Sequence, residues 1–155
     1  MTFAIDPGPK TSGVIFYVAA TGKAWGAQAD MPNEELLGML RTDINASAIA
    51  CESIEAMYAH VGKETVQTIR FIGRIQEACY NRNRPLTLMS PQEVKKAVCG
   101  TASAKDPAVR QALIDRLGPP GTKKNPGKTY GVSKHAWRAL AVAVAATLTT
   151  PTPER

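Results

Sequence analysis

The chain has 155 residues, of which 44% are hydrophobic and 21% charged, with a formal net charge of +6. That length suits one domain, expected over residues 1–150 around a single core, with residues 151–155 as a disordered tail. No apolar run approaches the about 18 residues of a membrane span. No leader of the secretory type opens the sequence, and three scattered cysteines (Cys51, Cys79, Cys99) fit reduced thiols in a cytoplasm rather than disulfides or a metal site.

In chain order, residues 2–5 read as a short strand ending at Asp6, followed by Pro7-Gly8. "GVIFYVA", 13–19, and about 23–29 read as two more strands joined by a hairpin turn at Ala20-Thr21-Gly22. Pro32-Asn33-Glu34-Glu35 starts a helix of about ten residues with its acids in the first turn, where the helix dipole favours them. "SAIACE", Ser47 to Glu52, is a buried apolar run ended by an acid. Residues 62–82 carry the longest helical pattern, with Val66, Ile69, Ile72, Gly73 and Cys79 at helical spacings. Pro85 follows, then "LTLM" as a strand.

In "SPQEVKKAV", Ser90 is a natural N-cap, Pro91 fits the first helical position and Glu93 completes a capping box. A further helix is expected at about 106–117. Residues 118–131, "GPPGTKKNPGKTYG", read as a flexible basic loop. The last helix, about 133–148, has Ala139, Ala143 and Ala146 on it, small enough to let its backbone lie close to a sheet. Hairpin-connected strands followed by strand–helix–strand units imply an α/β fold, a mixed sheet with helices on both faces.

The charge is unevenly placed. Between Ser90 and Arg138 stand ten lysines and arginines against three acids, while the remainder is nearly neutral. A basic C-terminal third suits a polyanionic partner, nucleic acid first among them. A solvated lysine surface would look the same from charge alone.

Asp-Pro-Gly by itself is ordinary turn chemistry. Asp6 and Glu52, however, both end strands. If those strands are parallel neighbours about 4.8 Å apart, both carboxylates face one crevice, where open α/β sheets bind ligands. Two acids so close repel unless a proton or a cation lies between them. A hard divalent ion such as magnesium, completed by water and substrate phosphate, answers that need.

"FAIDPGPKTSGV", "IACESIE", "MSPQEVKKAVCGTASAKDPAVRQAL" and "SKHAWRALAVAVAA", in this order, resemble the motifs of RuvC-type Holliday junction resolvases, members of the ribonuclease H-like superfamily. "VGKETVQTIRFIGRIQEA" and "GTKKNPG" look most like the RuvC-like proteins of tailed bacteriophages. The resemblance implies a five-stranded sheet, strands 1–3 an antiparallel meander and strands 4 and 5 parallel to strand 1. It implies a metal-dependent endonuclease for branched DNA, acting as a homodimer in the cytoplasm, a bacterial host's if the protein is phage-encoded, with one or two Mg²⁺ or Mn²⁺ ions and no nucleotide cofactor. Asp6, Glu52 and His135 would be the catalytic, metal-holding residues. Lys95, Lys96, Lys105, Lys123, Lys124, Lys134 and Arg138 would meet DNA phosphates.

The sequence departs from the resemblance at Arg138, three residues after His135, where relatives carry an acid. Residues three apart share a helix face, so a positive charge replaces a negative one near the crevice. That puts the second ion in question and admits a junction-binding protein without catalysis as the rival. "DPGPKTSG" also loosely resembles the phosphate hairpin of actin-like ATPases, which need a second lobe and a far longer chain. Glu55 is a candidate third carboxylate, Tyr58 and His60 candidate DNA contacts, and Trp137 a packing residue. The Val66–Cys79 helix is a candidate dimer surface or a cover for the sheet.

Overall fold

The structure, a computed structural model, describes residues 1–54 and 61–149. Glu55, Tyr58, His60 and the 151–155 tail, singled out above, lie outside the described residues. The elements are β1 (Thr2–Asp6), β2 (Thr11–Val18), β3 (Lys23–Pro32), α1 (Asn33–Arg41), β4 (Ala48–Glu52), α2 (Lys63–Asn81), β5 (Leu86–Met89), α3 (Pro91–Cys99), α4 (Asp106–Leu117) and α5 (His135–Thr149). They form one five-stranded sheet in the order β3-β2-β1-β4-β5. β1, β2 and β3 are an antiparallel meander, and β4 and β5 run parallel to β1, as expected.

The two faces of the sheet differ in side-chain size, and this positions α5. In β1, Phe3 and Ile5 pack with α1 and α2, as do Ile49 and Cys51 of β4. The alternate residues, Ala4 and Ala50, face the other way, into a core with α3, α4 and α5. Successive side chains on a strand point to opposite faces, so "FAI" and "IAC" present bulk to one layer and methyl groups to the other. α5 answers with Ala139 and Ala143, both fully buried. Small residues on both sides let helix and strands approach closely.

Three expectations need correction. The predicted α2 face is rotated: Thr68, Phe71, Ile72, Ile75, Ala78 and Cys79 are buried, whereas Ile69 is exposed and Val66 only half-buried. Apolar residues lie on two sides of this helix, and spacing alone does not say which side meets the sheet. The β2–β3 ladder is longer than predicted, reaching Thr11 opposite Pro32, because an edge strand keeps its ladder through exposed polar residues. α5 starts at His135 rather than Ser133, since Lys134 takes a φ of +43°, outside the helical region.

The 118–131 segment, expected as a loose loop, folds back on itself. Gly121 bridges Pro126, Gly127 N–H donates to Pro120 O at 2.8 Å, and Lys128 O accepts from Ala24 N–H at 3.0 Å. The capping box of α3 forms as predicted, with Ser90 Oγ accepting from Glu93 N–H and Ser90 N–H donating to the Glu93 carboxylate. All three cysteines are free thiols. No helix among the described residues is long and apolar enough to cross a membrane.

Candidate active site

Asp6 and Glu52 sit side by side. β1 and β4 pair in parallel up to Ile5 opposite Cys51, so the next residue on each strand is a carboxylate. Each lies two positions from an alanine of the α5 face, which turns both side chains toward α5. The turn after Asp6 is clamped from outside. Asn33, the first residue of α1, donates from Nδ2 to Gly8 O at 2.9 Å and accepts from Ser12 Oγ at 2.8 Å. At Gly8, a Cβ would stand 2.3 Å from Thr11 O, so only glycine allows a turn this tight.

Gly13 opposes Asp6 across the β1–β2 ladder. A Cβ there would stand 2.5 Å from His135 O and 2.8 Å from His135 Cβ. The missing side chain is what lets α5 begin against the sheet beside Asp6.

Two side chains of α5 then reach the carboxylates. His135 Nδ1 lies 3.1 Å from Asp6 Oδ2. Arg138 Nη2 donates to Glu52 Oε1 at 2.9 Å, and Arg138 Nε lies 3.7 Å from Asp6 Oδ1. On its third side Arg138 Nη1 is 3.9 Å from Asp106 Oδ2, at the start of α4. Asp6 and Glu52 are almost wholly buried. Burial pushes both carboxyls above their ordinary range, against the opposing pull of Arg138. Burial also works against the Arg138 charge, but Glu52, Asp6 and Asp106 outweigh it and hold the guanidinium above its usual value. Beneath them burial pushes the Cys51 thiol far up, so it is no nucleophile.

The predicted site residues Asp6, Glu52 and His135 thus come together, and Arg138 joins them in the crevice. Lys96, Lys105, Lys123, Lys124 and Lys134 are exposed and Lys95 is half-buried. Lys134 flanks an open cleft of about 710 Å³ between α4 and α5, which Arg110, His135 and Arg138 also line. Trp137 is buried in the core, as its packing reading required, with the Arg110 guanidinium 5.1 Å over its ring.

Sequence reasoning missed Asp106 and Asn33 as parts of the site. Both look like helix-start residues, which they also are. The local signal that could have flagged Asp106 is its place directly after the Ala104-Lys105 turn.

The resemblance of the motifs implies a divalent ion, and the donors suit one. A carboxylate oxygen and an imidazole nitrogen stand together, and such a pair serves magnesium or manganese. Among the described residues no three His, Cys, Asp or Glu side chains converge on one point, so protein donors would supply only part of the ion's shell.

No protein-family model matches the chain, and no curated protein matches it. Solved structures do. The T. thermophilus RuvC in complex with a Holliday junction substrate superposes with a TM-score of 0.66 at 19% identity, covering 95% of this chain and 92% of that one. A second Thermus thermophilus RuvC structure gives 0.64 at 20% identity over 95% and 93% of the two chains. With the strand order, the parallel β1–β4 pair and α5 beginning beside their carboxyl ends, this chain has the ribonuclease H-like fold of the RuvC Holliday junction resolvases.

Proposed function

We propose that the protein is a RuvC-type endonuclease that binds four-way or other branched DNA and nicks it by phosphodiester hydrolysis. The observation that carries this reading is the convergence of Asp6 and Glu52 from adjacent parallel strands with His135 from α5, at the end of a basic cleft in a fold shared with RuvC. That one of the similar structures is a RuvC holding a Holliday junction substrate supports branched DNA as the partner. The bacteriophage branch and a cytoplasmic setting belong to the same proposal.

Asp6, Glu52 and His135 form the proposed catalytic centre. A magnesium or manganese ion held by carboxylate and imidazole there would supply Lewis acidity to the phosphodiester and to the attacking water. His135 is more than half exposed, so its imidazole is open to the cleft. Arg138 presents a guanidinium beside the same point, the group best shaped for two phosphate oxygens. Lys134 and Arg110 line the cleft and hold the strand on either side. The deep placement of both carboxylates excludes bulk water, which strengthens each of these interactions.

Mixing the pure protein with an end-labelled four-way junction in Mg²⁺ and in Mn²⁺ tests the reading, and paired nicks are expected. The rival, a junction-binding protein without catalysis, draws on one observation: Arg138 already pairs with both acids. Binding without any nick in either ion would favour it.

Two further outcomes are expected. Junction binding weakens with salt at about −0.9 log units per phosphate neutralised, and the double change Lys123→Ala, Lys124→Ala makes that slope shallower by about 2. Fluorescence anisotropy at several salt concentrations measures it, and an unchanged slope removes this loop from the interface. Paired nicks at a symmetric junction need two sites, so a homodimer belongs to the proposal. The outer side of α2 carries Val66, Ile69, Gly73 and Tyr80 at spacings of a single helix face, with Tyr80 82% exposed. Ile69→Lys with Tyr80→Glu is expected to give monomers in sedimentation velocity and to convert paired nicks into single ones. A dimer that survives both changes moves the interface elsewhere.

A further inference from the structure

Asp6 turns its two oxygens to different partners, and this divides the site in two. Oδ1 faces the Arg138 guanidinium, which also holds Glu52. Oδ2 faces His135 Nδ1. In the first half a cation is already present. It is covalently part of α5, anchored by Glu52 at 2.9 Å and steadied by Asp106 at 3.9 Å. A second positive ion placed there would meet the guanidinium at contact distance, with no carboxylate left unpaired to hold it.

The second half is different. Asp6 Oδ2 and His135 Nδ1 are 3.1 Å apart and share one hydrogen-bonding proton. Adjacent donors of an octahedral ion with bonds of about 2.1 Å are separated by about 3.0 Å. The observed spacing therefore suits one ion in place of that proton. His135 is 59% exposed, so the remaining positions open to water and to a phosphate oxygen. Magnesium is commonly held through one or two carboxylates, with water and substrate phosphate completing its shell; here Asp6 is that carboxylate and the His135 nitrogen stands beside it.

We infer that Arg138 stands where a second metal would bind, so that each chain takes one divalent ion, held by Asp6 and His135, with Glu52 anchoring the arginine rather than ligating metal. The inference rests on the nuclease reading and refines it. Arg138 becomes a catalytic residue: its exposed edge faces the cleft, where it meets the phosphate that a second ion would otherwise meet. A positive charge at the position is kept, though one unit smaller than an ion's, and it is fixed to the protein and cannot be lost to a chelator.

The test is Mn²⁺ titration of the intact, DNA-free protein, followed by the loss of the free-ion electron paramagnetic resonance signal. One Mn²⁺ per chain is expected. Glu52→Gln is expected to keep that ion, whereas Asp6→Asn and His135→Ala weaken it at least tenfold. Arg138→Asp is expected to admit a second ion, and Arg138→Gln serves if the first variant does not fold, as judged by thermal melting. Two ions in the wild type, none at all, or loss of the ion in Glu52→Gln to the same degree as in Asp6→Asn would each overturn the inference. Nicking of the four-way junction is scored separately. Paired nicks with two ions bound leave the nuclease standing and remove only the inference, while one ion in a protein that binds no junction removes the nuclease.

Discussion

Asp6→Asn is expected to slow junction nicking by at least about 10³-fold while leaving junction binding within about threefold of the wild type. The change keeps the shape of the side chain and removes one charge. Asp6 is the residue whose two oxygens serve both halves of the site, one toward His135 and one toward Arg138. An amide presents only one acceptor oxygen, so one half loses its partner whichever way the group is turned. Binding is expected to survive because Lys134 of the cleft and the exposed lysines of the 118–131 segment are untouched, and phosphate contacts position DNA independently of the chemistry. The fold is also expected to survive. Burial disfavours the charged form of this carboxyl, and an amide escapes that cost. Single-turnover nicking, anisotropy and thermal melting together make the measurement. A nicking rate within tenfold of the wild type would show that hydrolysis, if present, takes place elsewhere.

Gly13→Ala comes second in expected effect, although residue 13 has no side chain to offer chemistry. Its new methyl group would stand 2.5 Å from His135 O, 2.6 Å from His135 C and 2.8 Å from His135 Cβ. Two of those atoms are backbone, so the start of α5 must shift as a body rather than one flexible side chain. Overpacking of this kind costs about 1–3 kcal/mol. The functional loss is expected to exceed it, on the order of 10²-fold in nicking rate, because a displacement near 1 Å separates His135 and Arg138 from the two carboxylates. Gly38→Ala is the control. It lies inside α1 with open space around the new Cβ, so it is expected to stabilise by about 0.5–1 kcal/mol and leave nicking unchanged. Urea denaturation and nicking assays on the two variants separate the effects. Equal activity in both would mean that the close approach of β2 to α5 does not hold the site together.

Both arguments concern residues that the sequence marks in different ways. Asp6 was legible because a carboxylate at the end of an apolar strand, followed by Pro-Gly, is a local pattern, and Glu52 repeats half of it. The strand order was legible because hairpin and crossover connections admit few topologies. Gly13 could be read only as the first residue of a strand. Its real constraint is the backbone of a residue more than a hundred positions away, and no local pattern carries that. α2 shows the same limit: two apolar sides satisfy a helical period equally well, and the side facing the sheet was settled by Phe71 and Ile75 filling the layer beneath Phe3, Ile5 and Ile49.

The sequence by itself determined the order of elements, the two strand-end acids, the capping box at Ser90 and Glu93, and the excess of positive charge in the last third, since each depends on neighbours within a turn or a strand. Only the tertiary structure decided that Arg138 lies against Glu52 and Asp6 instead of projecting to solvent, and that Asp106 completes its surroundings. Helical spacing gave the direction of Arg138 around α5. The reach of its guanidinium follows from how closely α5 packs, which is set by Ala4, Ala50, Ala139 and Gly13 acting together across the sheet. Long-range packing, not periodicity, fixes which charges meet.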